Sequence, residues 1–134
     1  MTGTAEKEHG KLEVYKRLEQ LVCEMNYTVD AVVVEGVHDE KTLRVLSYKN
    51  AVLTTSRHSY AGLVELVSKR FSNIVILTDL DEQGIHLNRR LSDLFEEKGI
   101  RVDRSYRAEF QKLLEKANVQ AIEGIHRLKL DLFP

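Results

Sequence analysis

The chain is poor in the residues that staple or interrupt a fold. It has one cysteine, one proline and no tryptophan in 134 residues. A lone Cys23 can close no internal disulfide and can build no thiolate zinc site, so neither device supplies stability. The single proline is Pro134, which leaves the preceding elements free of a residue lacking a backbone donor. No apolar run approaches the ~20 residues needed to cross a bilayer. The opening segment MTGTAEKEHGKLEV is charged, without a signal-type apolar core or an Arg- and Ser-rich transit pattern. A cytoplasmic location with no membrane partner is therefore expected. An excess of one charge is also missing. With 20 basic and 21 acidic residues the net charge is -1, which argues against a polybasic, histone-like binder but leaves room for opposed local patches.

What is present suits a folded domain. Hydrophobic residues make up 43% of the chain, close to the ~45–50% of ordinary soluble proteins, so a core can form. Tyr15, Leu18, Val22 and Met25 recur at helical spacing and predict a helix over about residues 6–26, with Cys23 as a small buried residue beside the stripe. Gly10 weakens its start by about 1 kcal/mol relative to Ala. The run AVVVEG, Ala31 to Gly36, is apolar without alternation, as in a strand buried on both faces of a parallel sheet. Asp39 is then the expected N-cap of a helix to about Ser47. A strand at Ala51–Thr54 and a helix capped by Ser59 and ending near Arg70 follow. NIVILTD, Asn73 to Asp79, is the clearest strand, and a helix after Gly84 stops at Gly99. Ile100–Val102 is a fourth strand, and about Arg107 to Lys116 a helix with Phe110, Leu113 and Leu114 inward. The tail VQAIEGIHRLKLDLFP fits either a last strand with a turn or an arm packed on the core or on a partner.

Strands alternating with helices predict an α/β fold, a mostly parallel four-stranded sheet covered on both faces, plus an N-terminal helix. The chain divides into a helical extension (residues 1–29), the β/α unit (30–104) and a C-terminal helix and tail packed on it (105–134). In such sheets ligands bind beyond the carboxyl ends of the strands, where strand order reverses. Three acids stand there. Glu35 closes the first strand, Asp79 closes the third, and Asp81 follows two residues later. Like charges that converge on one sheet edge repel, and a cation that neutralises them lets the arrangement persist. Oxygen ligands without clustered Cys or His favour a hard ion, Mg²⁺ with Mn²⁺ as substitute. A plain helix cap, a turn or a solvated strand end explains any one of these acids about as well, but all three together much less well.

VVVEGVHDEKTL and ILTDLDEQGIHLNRRL resemble the two motifs of toprim domains, found in topoisomerases, primases and the maturase of 5S ribosomal RNA. The matching residues are Glu35, Gly36 and Asp39 in the first, and Asp79, Asp81 and Gly84 in the second, within about residues 30–104. The short chain and its C-terminal segment are similar to small stand-alone toprim proteins, found mainly in archaea. The resemblance implies a Rossmann-like toprim fold. It further implies that Glu35 is a general acid/base in phosphodiester cleavage or nucleotidyl transfer on RNA or DNA, as a nuclease in RNA processing or in DNA replication or repair. Asp79 and Asp81, with Glu35, would bind Mg²⁺, supported by Gly36, Asp39 and Gly84. Several family members carry a Lys directly after the Glu-Gly, where this chain has Val37; His38 is the nearest substitute.

Arg57, Arg89 and Arg90 join His38 as candidate phosphate contacts, although an ordinary solvated face explains them somewhat better. The clustered Arg101, Arg104 and Arg107 are read the same way. The chain lacks the further domains with which topoisomerases supply a nucleophilic tyrosine, so a complete topoisomerase or primase is not expected; action alone, as a homodimer or with a protein partner is. The alternative from another class is a non-catalytic, metal-dependent nucleic-acid-binding or assembly module. A phosphatase or receiver-type phosphotransfer domain is the weaker alternative, since those place the acidic motif after the first strand rather than the third.

Overall fold

Four short runs of β-branched and aliphatic residues form the centre of the molecule. The computed structural model describes residues 2–119, 121 and 124–133, with residues 2–9 described by their backbone alone. The strands are β1 (Ala31–Val34), β2 (Ala51–Thr54), β3 (Asn73–Ile76) and β4 (Arg101–Val102). They form one all-parallel sheet in the order β2-β1-β3-β4. All four residues of β1 are buried, as expected of a central strand with helices on both faces. At the amino edge, the Asp30 carboxylate accepts from the backbone N–H groups of Ser72 and Asn73 (3.0 and 2.9 Å), tying the starts of β1 and β3 together.

Six helices cover the sheet: α1 (Thr2–Thr28), α2 (Val37–Val45), α3 (Tyr60–Arg70), α4 (Glu82–Glu97), α5 (Ser105–Lys116) and α6 (Gly124–Leu132). Alternate strand residues point to opposite faces and divide the core in two. Val32, Val34, Val75 and Leu77 pack with residues of α1, α2, α5 and α6. Val33, Ile74 and Ile76 pack with α3 and α4. The division follows from topology. The chain moves outward from β1 to β2 and then back across β1 to β3, and crossovers of one hand must change face when they change direction. That reversal places a switch point between β1 and β3.

Several boundaries differ from the sequence expectation for local reasons. The first helix runs from Thr2 through Gly10 to Thr28, because Val14, Tyr15, Leu18, Leu21, Val22 and Met25 anchor it on the sheet and outweigh the glycine cost. Cys23 is exposed rather than buried, one step off that stripe. The N-cap of α2 is Gly36, not Asp39. Asp39 lies in the first turn, and its carboxylate reaches back to the Gly36 N–H (3.0 Å), the reciprocal half of a capping box. Gly84 lies inside the first turn of α4 rather than ahead of it. Ser59 does cap α3, accepting from the Gly62 N–H at 3.1 Å, and Gly99 (φ +78°) ends α4 in the left-handed conformation that glycine adopts without strain.

Of the forms expected for the tail, the described residues take that of an arm packed on the core, and they do so as a helix. Asn118 (φ 58°) closes α5, the Val119 N–H returns to Leu114 O (2.8 Å), and α6 then buries Ile125 and Leu128 against α1. Among the described residues no helix is long and apolar enough to cross a membrane. Leu128→Ala should lower unfolding stability by about 2–5 kcal/mol, the range for a truncated core leucine, measured by urea denaturation. A change below about 0.5 kcal/mol would mean that α6 is not part of the core.

Candidate functional site

The site is built where β1 and β3 end side by side. The Leu77 N–H donates to Val33 O (2.8 Å), which carries the β1–β3 pairing to its last rung. One step beyond, the Asp79 N–H donates to the Glu35 carboxylate (Oε2, 2.7 Å). The two acids that follow the buried strands are thus joined directly. Asp81 caps α4, accepting from the Gly84 N–H at 2.7 Å. Asp39, buried in the first turn of α2, faces the same edge.

The electrostatic consequence falls on Asp79. Its carboxyl is pushed up from 3.8 to about 7, first by burial, then by the negative charges of Glu35, Asp39 and Asp81, and by a side-chain hydrogen bond with Glu35. With no cation bound, the cluster holds a proton on Asp79 near neutral pH.

The loop from Asp79 to Gly84 is held from three sides. Buried Thr78 donates its hydroxyl to Gly84 O (2.6 Å). A Cβ at Gly84 would overlap the carbonyl carbon and oxygen of Asp79, so only glycine fits where the loop folds over the helix start. Gly36 differs. Its backbone is extended and nothing stands within 4 Å of an added Cβ, so the chain itself makes no steric demand for glycine there.

The third restraint is Arg107, expected as a surface phosphate contact but buried here. Its buried guanidinium donates to Ile76 O (3.3 Å), Thr78 O (2.8 Å), Thr78 Oγ1 (3.1 Å) and Asp79 O (3.1 Å). Burial pulls its proton affinity below the ordinary arginine value, while the Glu35 and Asp79 charges act in the opposite direction. A signal was available. Arg107, Phe110 and Leu114 share one helical stripe, so the apolar face of α5 carries a cation that needs a partner inside the fold.

The other basic residues are distributed more widely. Arg57 is exposed in the single 3-10 turn after β2, at the carboxylate edge, where the Ser56 N–H donates to Glu35 O (3.2 Å). His38 is exposed on the first turn of α2. Arg89 and Arg90 lie roughly 10 Å along α4 from its start, and Arg90 stacks over the Tyr60 ring (5.5 Å to the centroid). Arg104 pairs with Glu96 (2.5 Å).

The donor set is all oxygen, and the crowding that keeps a proton on Asp79 is what a cation would relieve, so these residues suit a hard divalent ion. Among the described residues, however, no three His, Cys, Asp or Glu side chains are grouped to hold an ion between them. Glu35, Asp39 and Asp81 each engage a backbone N–H. The fit is therefore to an ion that takes one or two carboxylates and keeps its waters, as Mg²⁺ does.

Comparison with known proteins agrees with the fold. A family model described as Toprim-like matches residues 32–118. A UPF0292 protein of Pyrococcus horikoshii is 34% identical over 119 residues, covering 89% of each chain. One from Thermococcus sibiricus is 35% identical over 118 residues, covering 88% of this chain and 92% of the other. A solved structure of a protein from Aquifex aeolicus superposes with a TM-score of 0.65 at 28% identity, over 84% of this chain and 94% of that one.

Two outcomes are expected of this geometry. Because the folded value of Asp79 lies above its unfolded one, its contribution is fully present below about pH 4 and is lost as pH rises through about 7. Without metal, Asp79→Asn should therefore be the more stable protein at about pH 8 and lose that advantage at about pH 4. The gain should be on the order of 1 kcal/mol after screening at a half-exposed site, read from urea midpoints at both pH values. Gly84→Ala should cost about 1–3 kcal/mol by overpacking; an unchanged melting temperature would show that the loop can move aside.

Proposed function

Because the chain belongs to the Toprim-like family, we propose that it acts on nucleic acid in Mg²⁺-dependent phosphodiester cleavage or nucleotidyl transfer, alone or as a subunit. One observation carries the reading. Glu35, Asp39 and Asp81 lie near Asp79 at the switch point of a parallel sheet, closely enough for their charges, with burial, to raise its proton affinity. Asp79 with Asp81, or with Glu35, would hold the ion. Bound there, Mg²⁺ would neutralise phosphate oxygens and stabilise charge on the attacking or leaving oxygen.

The chain's own groups supply the rest. Oε2 of Glu35 is fixed by the Asp79 N–H, which orients the carboxylate toward the edge. There Glu35 accepts the proton of an attacking water or hydroxyl as its oxygen bonds to phosphorus; the departing ribose oxygen leaves and takes a proton from solvent. The open space beside Gly36 lets a phosphate approach the backbone where a side chain would keep it away. Arg107 positions the Thr78 and Asp79 carbonyls and lends positive potential from beneath.

A second reading keeps the fold and the ion but omits turnover, leaving a binding or assembly module. It is favoured by Val37, which is 39% exposed where several family members carry a lysine. Incubation with structured RNA and with single- and double-stranded DNA, with and without Mg²⁺, separates the two. Glu35→Gln should lower a Mg²⁺-dependent cleavage rate by about 10²–10⁴-fold, and Asp79→Asn should abolish its Mg²⁺ dependence. Cleavage that survives both substitutions unchanged would refute the site. Metal-dependent binding with no turnover on any of the substrates would select the module.

A further inference from the structure

Beside the carboxylate edge lies a cleft of about 530 Å³, walled by α2 on one side and the start of α6 on the other. His38, Lys41, His126 and Arg127 all line it, and its described lining contains no acid. All four side chains are exposed. A second cleft of about 570 Å³ opens on the other side of α6, where Lys116 stands, and Arg127 and Gly124 form the wall common to both. Arg127 is thus a ridge between two concavities, with Lys41 facing it from α2.

Some surface cations are neutralised by neighbouring carboxylates, and those of the cleft are not. Arg17, Lys69 and Arg104 are matched to Glu24, Glu65 and Glu96 at 3.5, 3.1 and 2.5 Å. Among the described residues, Lys41, Lys116 and Arg127 have no such partner. The placement is tertiary. Residues 101–134 carry 7 basic and 5 acidic side chains, and α6 returns one of these bases, Arg127, together with His126, to the helix that begins directly after Glu35 and Gly36. His38, on the cleft wall, immediately precedes Asp39 of the acidic edge.

We infer that this cleft seats the phosphodiester backbone of a single nucleic-acid strand, with Lys41 and Arg127 contacting successive phosphates and leading the strand to the carboxylates. The inference rests on the reading of the acidic edge as a nucleic-acid site. It adds a seat that neither toprim motif contains. A row of unneutralised bases repels metal ions and attracts polyanions by counterion release. A concave wall with bases on both sides suits an extended chain of phosphates better than an isolated anion. Nucleic acid is favoured over an acidic protein segment because the cleft runs into an edge of carboxylates. That edge repels a peptide's acids, whereas a phosphate can be bridged to it through a hard cation.

The test is anisotropy titration of fluorescein-labelled single-stranded RNA and DNA of one sequence, across a series of salt concentrations. Wild type is compared with Lys41→Gln/Arg127→Gln, and with Lys69→Gln as a control on the opposite face. Both cleft residues are exposed, so circular dichroism should report an unchanged fold. The double variant should bind at least about tenfold more weakly. Its slope of log affinity against log salt should fall by about 1.4, two contacts at roughly 0.7 each, while Lys69→Gln stays within about twofold of wild type. RNA binding reduced more than DNA binding, or the reverse, would identify the preferred strand. Unchanged affinity and slope in the double variant would overturn the cleft, and would do so alone if Glu35→Gln still abolished cleavage. Binding of neither probe by wild type would overturn the cleft and the reading of the acidic edge together. Displacement of the probe by polyglutamate as readily as by unlabelled oligonucleotide would reassign the cleft to an acidic protein partner.

Discussion

A buried guanidinium underlies the acidic edge. Arg107 reaches from α5 to the carbonyls of Ile76, Thr78 and Asp79, the stretch in which β3 ends and the loop to α4 begins. A cation inside a protein is tolerated only when hydrogen-bonded and offset by opposite charge. Here the carbonyls supply the first, and Glu35, joined by Asp79 once it ionises, the second. The dependence runs both ways. The carboxylates keep Arg107 charged in a buried position, and Arg107 lowers the repulsion among acids that would otherwise drive the ends of β1 and β3 apart. Even with this offset, Asp79 retains a proton up to about pH 7, so the edge still has an excess of negative charge.

That excess coexists with ordinary structural duties. Asp81 caps α4, Asp39 closes the first turn of α2, and Glu35 receives the Asp79 N–H. Each acid stabilises a helix start or a loop and also contributes to the field at the switch point. The absence of a three-acid cage among the described residues follows from these duties, because oxygens held by backbone amides do not close around a common point. An ion at this edge would take a minority of its ligands from the protein and the remainder from water and phosphate.

The C-terminal helix links stability to the site. Ile125 and Leu128 on its inner side complete the core against α1, while His126 and Arg127 between them face outward into the clefts. Helical periodicity makes this possible, since two neighbours in sequence lie about 100° apart around the axis. The same nine-residue helix is therefore held by hydrophobic burial and presents charge beside the acids.

The sequence by itself determined the strands, their parallel pairing and the acids at their ends. Runs such as AVVV and NIVI suit burial on both faces and little else, and an acid after such a run must emerge at the carboxyl edge. Local chemistry also placed Ser59 and Gly99, whose roles depend only on near neighbours. Other features needed the tertiary structure. The extent of α1 came from packing on the sheet, and the helical form of the tail came from the hydrophobic surface that Ile125 and Leu128 cover. Asp39 moved from N-cap to first turn because Gly36 was already positioned by the end of β1. Arg107 and the basic cleft were least legible, since each unites residues far apart along the chain: Arg107 with Asp79, and Lys41 with Arg127. Periodicity and propensity act over one or two turns, whereas a buried charge and a cleft are defined by what the fold brings opposite them.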